Sequence, residues 1–253
     1  MAVGTWFWIA SIVVVLALAL VIGAFGLAKR RAKDAGDPTP VVKLTLVVAA
    51  LWAVLSVIVA AVVILTTALA DDVHITVPVQ QFWPQLPEGT EVDGMTATRV
   101  GGGFTSADLI ASGLSAGARA CWAIGQGLAT VVPGVIAAMI TVTCFQLLAG
   151  RTFAPVVARM AMITAVVVAG GGIAAQMLSD IGGSMAATEL LAWTSAGYEE
   201  VAGIEDALDA WWPQPAFELS LPFWPLAAGL AFAALAAVFR YGSRLQHDTE
   251  GLV

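Results

Sequence analysis

Charged side chains are scarce in this sequence. They make up 11% of its 253 residues, whereas a soluble domain averages about 25%. Hydrophobic residues make up 59%. This balance excludes an ordinary soluble domain and indicates an integral membrane protein, because a helix that crosses the ~30 Å hydrocarbon core of a bilayer uses about 20 apolar residues.

Cysteine and histidine, which form disulfides and many metal sites, are also rare. Cys121 and Cys144 fall on one predicted helix, where a rise of about 1.5 Å per residue separates them by roughly 35 Å, beyond the ~7 Å limit for a disulfide. His74 and His247 are predicted to lie on opposite sides of the membrane and therefore do not share a metal site. The sequence predicts neither an intrachain disulfide nor a metal centre.

Recognisable catalytic motifs are missing as well. The segment Gly125-Gln126-Gly127 begins like a dinucleotide-binding fingerprint, but it lacks the third glycine and lies inside a predicted span. Serine-nucleophile and zinc-protease motifs are absent from the sequence. A group of acidic residues lacks the spacing of a calcium loop and is interpreted as a solvated face: Glu199, Glu200, Glu205, Asp206 and Asp209. We therefore expect no enzyme activity and no cofactor.

Long apolar runs predict an all-α membrane protein, a five-helix transmembrane bundle forming one integral membrane domain over residues 1–253. The predicted spans are about residues 6–27, 44–70, 120–148, 160–181 and 219–239. Basic residues follow the first run directly, the reverse of the order in a signal peptide, so this run is interpreted as an uncleaved anchor. Pro133-Gly134 is expected to kink the third span, because proline removes a helical hydrogen bond.

Two polar stretches, about residues 71–117 and 182–218, are predicted to lie outside the cell. In the first, residues 72–79 alternate in polarity and contain β-branched side chains, which favours a strand. A second strand is predicted over residues 90–100, with proline and glycine supplying the turns. Together they predict a small extracellular β element.

The distribution of basic residues predicts the orientation. Most of them fall in segments assigned to the cytoplasm, leaving only Arg99 and Arg119 outside, as the positive-inside rule requires. The residues assigned to the inside are Lys29, Arg30, Arg31, Lys33, Lys43, Arg151, Arg159, Arg240 and Arg244. Tryptophans cluster near the outer interface, which agrees. The N-terminus is therefore predicted outside and the C-terminus in the cytoplasm.

Three polar residues stand out in the spans: Gln126, Gln176 and Asp180, the last near an outer end. Polar groups at such depth often mark a site or pathway. The alternative is a structural role, in which each glutamine forms hydrogen bonds with a neighbouring helix and Asp180 is hydrated at the interface. Small residues at four-residue spacing are interpreted as packing faces within the chain in preference to a dimer face: Ala161, Ala165 and Ala169, then Gly229, Ala233 and Ala237.

Two stretches resemble a known bacterial family, domain of unknown function 2975. Residues 145–159, Phe-Gln-Leu-Leu-Ala-Gly-Arg-Thr-Phe-Ala-Pro-Val-Val-Ala-Arg, followed by an apolar helix with a glycine cluster up to residue 176, resemble its central loop. The tail, residues 239–253, Phe-Arg-Tyr-Gly-Ser-Arg-Leu-Gln-His-Asp-Thr-Glu-Gly-Leu-Val, resembles its C-terminal signature. The resemblance covers roughly residues 41–253 and implies four spans in a bacterial plasma membrane. The run at residues 6–27 is an addition to that pattern.

The resemblance also implies a regulatory role, because genes of this family often neighbour one for a small helix-turn-helix protein of the Cro/repressor type. The first hypothesis is a membrane regulator or sensor that holds such a protein, without binding nucleic acid itself. The residues expected to bind this partner are Arg151, Arg159, Arg240, Gly242, Arg244, Leu245 and Asp248. Alternatively, the arginines only set topology and Gly242 caps the last helix.

The second hypothesis is small-solute transport around Gln126 and Gln176, with flexibility from Pro133-Gly134 and the glycines at residues 170–172. The sequence shows no inverted repeat, which many transporters have. An accessory subunit of a larger membrane assembly is the remaining alternative. The oligomeric state is left open.

Overall fold

The structure is a computed structural model, which describes residues 39–151, 153–197, 204 and 206–250, with only the backbone for residues 247–250. The predicted first span, residues 6–27, lies outside the described residues, as do Glu199, Glu200 and Glu205. In the described part of the chain, helix predominates, and a two-stranded sheet accompanies it.

The elements follow one another as α1 (Thr39–Leu69), β1 (Asp72–Phe82), β2 (Phe104–Ser112), α2 (Ala116–Leu148), α3 (Pro155–Val166), a π-helical turn (Val167–Gly171), α4 (Gly172–Leu191), α5 (Ala207–Trp211) and α6 (Trp224–Glu250). Among the described residues, four helical segments are long and apolar enough to cross a membrane: Thr39–Leu69, Ala116–Leu148, Pro155–Leu191 and Trp224–Gln246. They support a multi-pass membrane protein. The predicted bundle of five helices is confirmed only to this extent.

Helix α1 shows why these segments suit lipid. Its large apolar side chains remain exposed, with Leu51 at 66% and Val57 at 63%. A helix that is apolar around its whole circumference belongs in a protein core or a bilayer. The described residues leave most of this helix uncovered, so its surface matches hydrocarbon.

Most helix bounds differ from the predicted spans by four residues or more, and two of these differences affect the segments near the sheet and before α6. The fourth predicted span ended at residue 181, but α4 continues to Leu191, because its last turns are buried against the sheet. The fifth predicted span began at residue 219, whereas α6 begins at Trp224. Pro225 is then in its first turn, where proline is tolerated. Helix α2 continues through Pro133, so the proline expected to kink the third span does not end the helix.

The sheet contains one strand that the sequence predicted and one that it placed wrongly. Strand β1 confirms the strand predicted at residues 72–79, but the second strand is Phe104–Ser112 and not residues 90–100. Gly94, inside the wrong prediction, has a φ of +88°, which suits a turn and not a strand. The antiparallel register pairs Val73 with Ala111.

Alternate residues of β1 form the core between the sheet and α4. Val73, Ile75 and Val77 are at most 3% exposed and cluster with Ala186 and Ala187 of α4. The strand comes so close that a Cβ on Gly183 would lie 2.6 Å from the Thr76 carbonyl oxygen. This contact explains why α4 extends past the predicted end of its span.

The chain forms two compact units. The first contains Met1–Ser56, Pro133–Val168 and Ala228–Val253, and the second contains Val57–Val132 and Ala169–Ala227. In the first unit, the side chains that the structure describes include basic residues and no acidic ones. In the second, acidic residues greatly exceed the two arginines, Arg99 and Arg119. This separation follows the predicted positive-inside pattern, while the orientation itself stays a prediction.

Within the first unit, small side chains allow helices to pack. Ala161 of α3 is fully buried and clusters with Met139 of α2 and Ala236 of α6. The packing predicted for the alanines of this span is thus confirmed at Ala161. On α6 the predicted stripe is buried at Gly229 but not at Ala237, which is exposed next to the buried Ala236.

The two arginines that depart from the positive-inside pattern have structural partners. Arg119 donates to the carbonyl oxygens of Ala70 and Asp71 directly after α1, where helical carbonyls otherwise lack donors. Arg99 lies 4.7 Å from the centre of the Trp83 ring, a cation–π contact. It also donates to the Gly102 carbonyl oxygen at 2.7 Å.

The predicted acidic face contains a helix cap. Asp206 accepts the backbone N–H of Leu208 at 2.8 Å and that of Asp209 at 3.4 Å, which caps α5. Trp211 and Trp212 then donate their indole N–H groups to the carbonyl oxygens of Gln85 and Leu191, each at 2.8 Å. These bonds attach α5 to the rest of the second unit.

Candidate functional site

The three polar residues that the sequence singled out come together in the second unit. Gln126 lies on α2, while Gln176 and Asp180 lie on α4. The Gln176 amide donates to Asp180 Oδ1 at 2.7 Å. The Gln126 amide donates at 3.5 Å to the hydroxyl of Ser179, the neighbour of Asp180. All three side chains line one cavity.

This cavity has a volume of about 260 Å³. Its wall also contains residues from the sheet and from the chain before α6, including Thr76, Ser106 and Glu218. Most of the lining side chains are polar or charged, and Trp122 supplies an aromatic surface. We call it the Asp180 cavity.

Asp180 is firmly held at the cavity wall. Its Oδ1 accepts from Gln176, and its Oδ2 accepts from both the backbone N–H and the hydroxyl of Ser220, each at 2.7 Å. Ser220 precedes α6, so the carboxylate connects two distant segments of the chain. Within the described ranges, no lysine or arginine forms an ion pair with Asp180.

Glycines bring the helices close enough to form the cavity. A Cβ on Gly125 would lie 2.5 Å from the Ser179 hydroxyl oxygen, and one on Gly182 would lie 2.7 Å from the Trp122 backbone nitrogen. A Cβ on Gly127 would lie 2.5 Å from Cδ1 of Ile64 in α1. In Gly125-Gln126-Gly127, therefore, the glycines pack against two different helices, and the glutamine between them lines the cavity.

The sheet fixes the aromatic part of the wall. The Trp122 indole donates to the His74 carbonyl oxygen at 3.0 Å, and the Thr76 hydroxyl donates to Asp108 Oδ1 across the two strands at 2.6 Å. A second cavity of about 470 Å³ adjoins these residues and includes His74 and Asp108. Trp122 and Thr76 line both cavities.

Several lining residues were not identified from the sequence. Thr76 and Ser106 lie on paired strands, and Glu218 is held by Ser184, whose hydroxyl accepts from its backbone N–H at 3.1 Å. These residues are ordinary polar positions in the segments predicted to be external. Only the pairing of the strands and their packing on α4 bring them to the cavity, so no local signal marks them.

The cavity suits binding through hydrogen bonds and charge. Among its described lining residues there is no cysteine or histidine, and the described part of the chain contains no group of three or more His, Cys, Asp or Glu placed to hold a metal ion. The carboxylates, amides, hydroxyls and indole present are the groups with which proteins recognise small polar molecules.

The arginines predicted to bind a partner lie in the first unit and are exposed. Arg151 follows α2, Arg159 is on α3, and Arg240 and Arg244 are on α6. Leu245 is 66% exposed. Asp248 is on α6, but its side chain lies outside the described residues.

Gly242 does not cap the last helix, contrary to the alternative raised from the sequence. It lies inside α6, which continues to Glu250, and a Cβ there would overlap the Phe153 ring. The Phe153 ring also contacts that of Phe239, with centroids 6.4 Å apart. The two stretches that resemble one family therefore pack on each other.

Comparisons of the chain with protein-family models, curated proteins and solved structures found no match.

Proposed function

We propose that this protein is a bacterial membrane receptor that binds a small polar solute in the Asp180 cavity and thereby regulates a small cytoplasmic helix-turn-helix protein. The observation that carries the proposal is the convergence of Gln126, Gln176 and Asp180 on one cavity. Polar groups in apolar spans are costly unless they serve a structure or a site. Here three of them share one cavity wall, which favours a site.

The partner surface in this proposal is the exposed arginine set of the first unit. Arg159, Arg240 and Arg244 are exposed, and arginine binds carboxylates through paired hydrogen bonds. The packing of Gly242 on Phe153 holds the loop against the tail. This contact supports a single surface built from the two stretches that resemble domain of unknown function 2975.

The regulatory part is tested by mild-detergent purification of the tagged protein from its host, followed by mass spectrometry. We expect a small helix-turn-helix protein to co-purify with the wild type and to be lost from the Arg240→Ala/Arg244→Ala double variant. Arg99→Ala is the matched control, because that arginine lies on the predicted outer side. Equal recovery from all three proteins contradicts the proposal, and recovery of a large membrane complex instead favours an accessory subunit.

The receptor part is tested by thermal unfolding of the purified wild type with a panel of polar solutes. We expect at least one solute to raise the midpoint of the wild type, since a ligand that binds the folded state stabilises it. The same solute should have little effect on Gln126→Leu, which removes a polar group from the cavity. A panel that stabilises neither protein counts against a receptor.

Solute transport is a second candidate. It is favoured by the π-helical turn Val167–Gly171, which interrupts a membrane-length helix directly before the cavity residues of α4. Such turns are frequent at functional sites. In proteoliposomes, a transporter would move the stabilising solute, and deletion of residues 244–253 would leave its flux intact. A receptor would produce no flux.

A further inference from the structure

The charge of the Asp180 cavity restricts what it can bind. Asp180 and Glu218 are its charged lining residues, and none of the lining residues that the structure describes is basic. Asp180 is only partly exposed. A negative wall without a basic residue attracts cations and repels anions, so a cation is the ligand that this wall favours.

The hydrogen-bond directions indicate a ligand rich in donors. A carboxylate only accepts hydrogen bonds, so the Gln176 amide must turn its Nε2 towards Asp180. This leaves the Gln176 Oε1 as an acceptor. A hydroxyl both donates and accepts, so the contact of Gln126 with Ser179 allows either orientation of the Gln126 amide, and one of them presents Oε1 as an acceptor. Carboxylate and amide oxygens thus dominate the wall, and a primary ammonium group, which has three N–H donors and no acceptor, complements them.

The size of the cavity indicates an organic cation. Its volume of about 260 Å³ far exceeds the share of about 30 Å³ that one water molecule has in the liquid, so a bare alkali ion would leave most of it unfilled. Trp122, held by its bond to His74, offers an aromatic surface for a short carbon chain or for the cation itself.

We propose that the Asp180 cavity binds a small organic molecule through a protonated primary amine. This inference rests on the proposed receptor function and names the chemical class of its solute. Asp180 is the main counter-charge, Glu218 is the second, and the oxygens of Gln126 and Gln176 accept the ammonium N–H groups.

The test is calorimetric titration of the full-length protein in zwitterionic nanodiscs, with empty nanodiscs subtracted. The probes are butylammonium, butanol and butyrate, which share a four-carbon chain but differ in charge. We expect saturable binding of butylammonium, at least tenfold tighter than butanol, and no binding of butyrate, because a hydrogen bond to a charged group contributes about 1.5–3 kcal/mol.

Three variants locate the site. Asp180→Asn should weaken butylammonium binding about tenfold or more. Glu218→Gln should also weaken butylammonium binding. Because Glu218 is exposed, this variant can be tested even if Asp180→Asn does not fold. Glu88→Gln removes an acidic charge from an exposed loop outside the cavity and should bind like the wild type.

Two results would contradict the proposal that the ligand binds through a primary amine. One is equal affinity for butylammonium and butanol, and the other is displacement of butylammonium by sodium at equal concentration, which indicates an inorganic cation site. Neither result affects the receptor function, since a neutral solute that stabilises the wild type but not Gln126→Leu would still support it. The receptor function has its own test, and it fails if no solute in the panel raises the unfolding midpoint of the wild type.

Discussion

At the scale of single residues, glycine has the clearest consequences in this protein. Gly242 is part of a tail motif that suggested partner binding, yet its lack of a side chain makes room for the Phe153 ring. Gly125 and Gly182 likewise leave room for close contact between α2 and α4. Small residues determine how closely membrane helices pack, because no hydrophobic force drives helices together in lipid.

The role of Gly242 predicts the effect of a larger residue. Gly242→Val should lower the free energy of unfolding by about 1–3 kcal/mol, the usual cost of overpacking. Thermal unfolding in detergent, followed by tryptophan fluorescence, measures it. Gly197→Val is the control, because a Cβ at Gly197 meets nothing within 4 Å.

A second substitution separates this clash from a general intolerance of α6. If the ring of Phe153 is the obstacle, Phe153→Ala should restore much of the stability of the Gly242→Val protein, giving a coupling energy between the two sites. Additive losses would show that Phe153 is not the neighbour that Gly242 accommodates.

At the scale of elements, the contact between β1 and α4 positions the cavity. A two-stranded hairpin is only marginally stable alone, and here the buried face of β1 rests on Ala186, Ala187 and Leu191. The same contact sets Thr76 beside α4. The sheet is therefore part of the cavity wall and not an independent appendage.

Truncation of the buried face should loosen this contact. Val77 is fully buried, and Val77→Ala should cost about 2 kcal/mol, in the range of large-to-small core substitutions. Val100 is fully exposed, so Val100→Ala is the matched control and should change stability by less than about 0.5 kcal/mol. Thermal unfolding compares the two, and equal midpoints would mean that the sheet does not stabilise the fold.

At the scale of the whole molecule, the two compact units differ in charge. The described side chains of the first unit include basic residues and no acidic ones, whereas acidic residues predominate in the second. The first unit contributes the exposed arginines proposed to bind a partner, and the second contains the Asp180 cavity. The positive-inside pattern predicts that the segments with these arginines are cytoplasmic and that the polar segments lining the cavity are extracellular, which is the arrangement that the proposed receptor needs.

Cysteine labelling tests this orientation. In a background with Cys121→Ala and Cys144→Ala, Thr90→Cys should react with an impermeant maleimide in intact spheroplasts, and Ser243→Cys should react only after permeabilisation. The positive-inside bias gives this expectation. The opposite labelling pattern would reverse the topology and place the cavity residues towards the cytoplasm.

The sequence by itself determined the membrane class, the four apolar segments that the structure describes and strand β1. It also identified the polar residues within the predicted spans. These properties depend on the composition and periodicity of contiguous residues. Only the tertiary structure decided the position of β2, the length of α4, the interior place of Gly242 and the meeting of Gln126, Gln176 and Asp180. Strand register and helix approach depend on contacts between residues far apart in the chain, and no local pattern records which of them will meet.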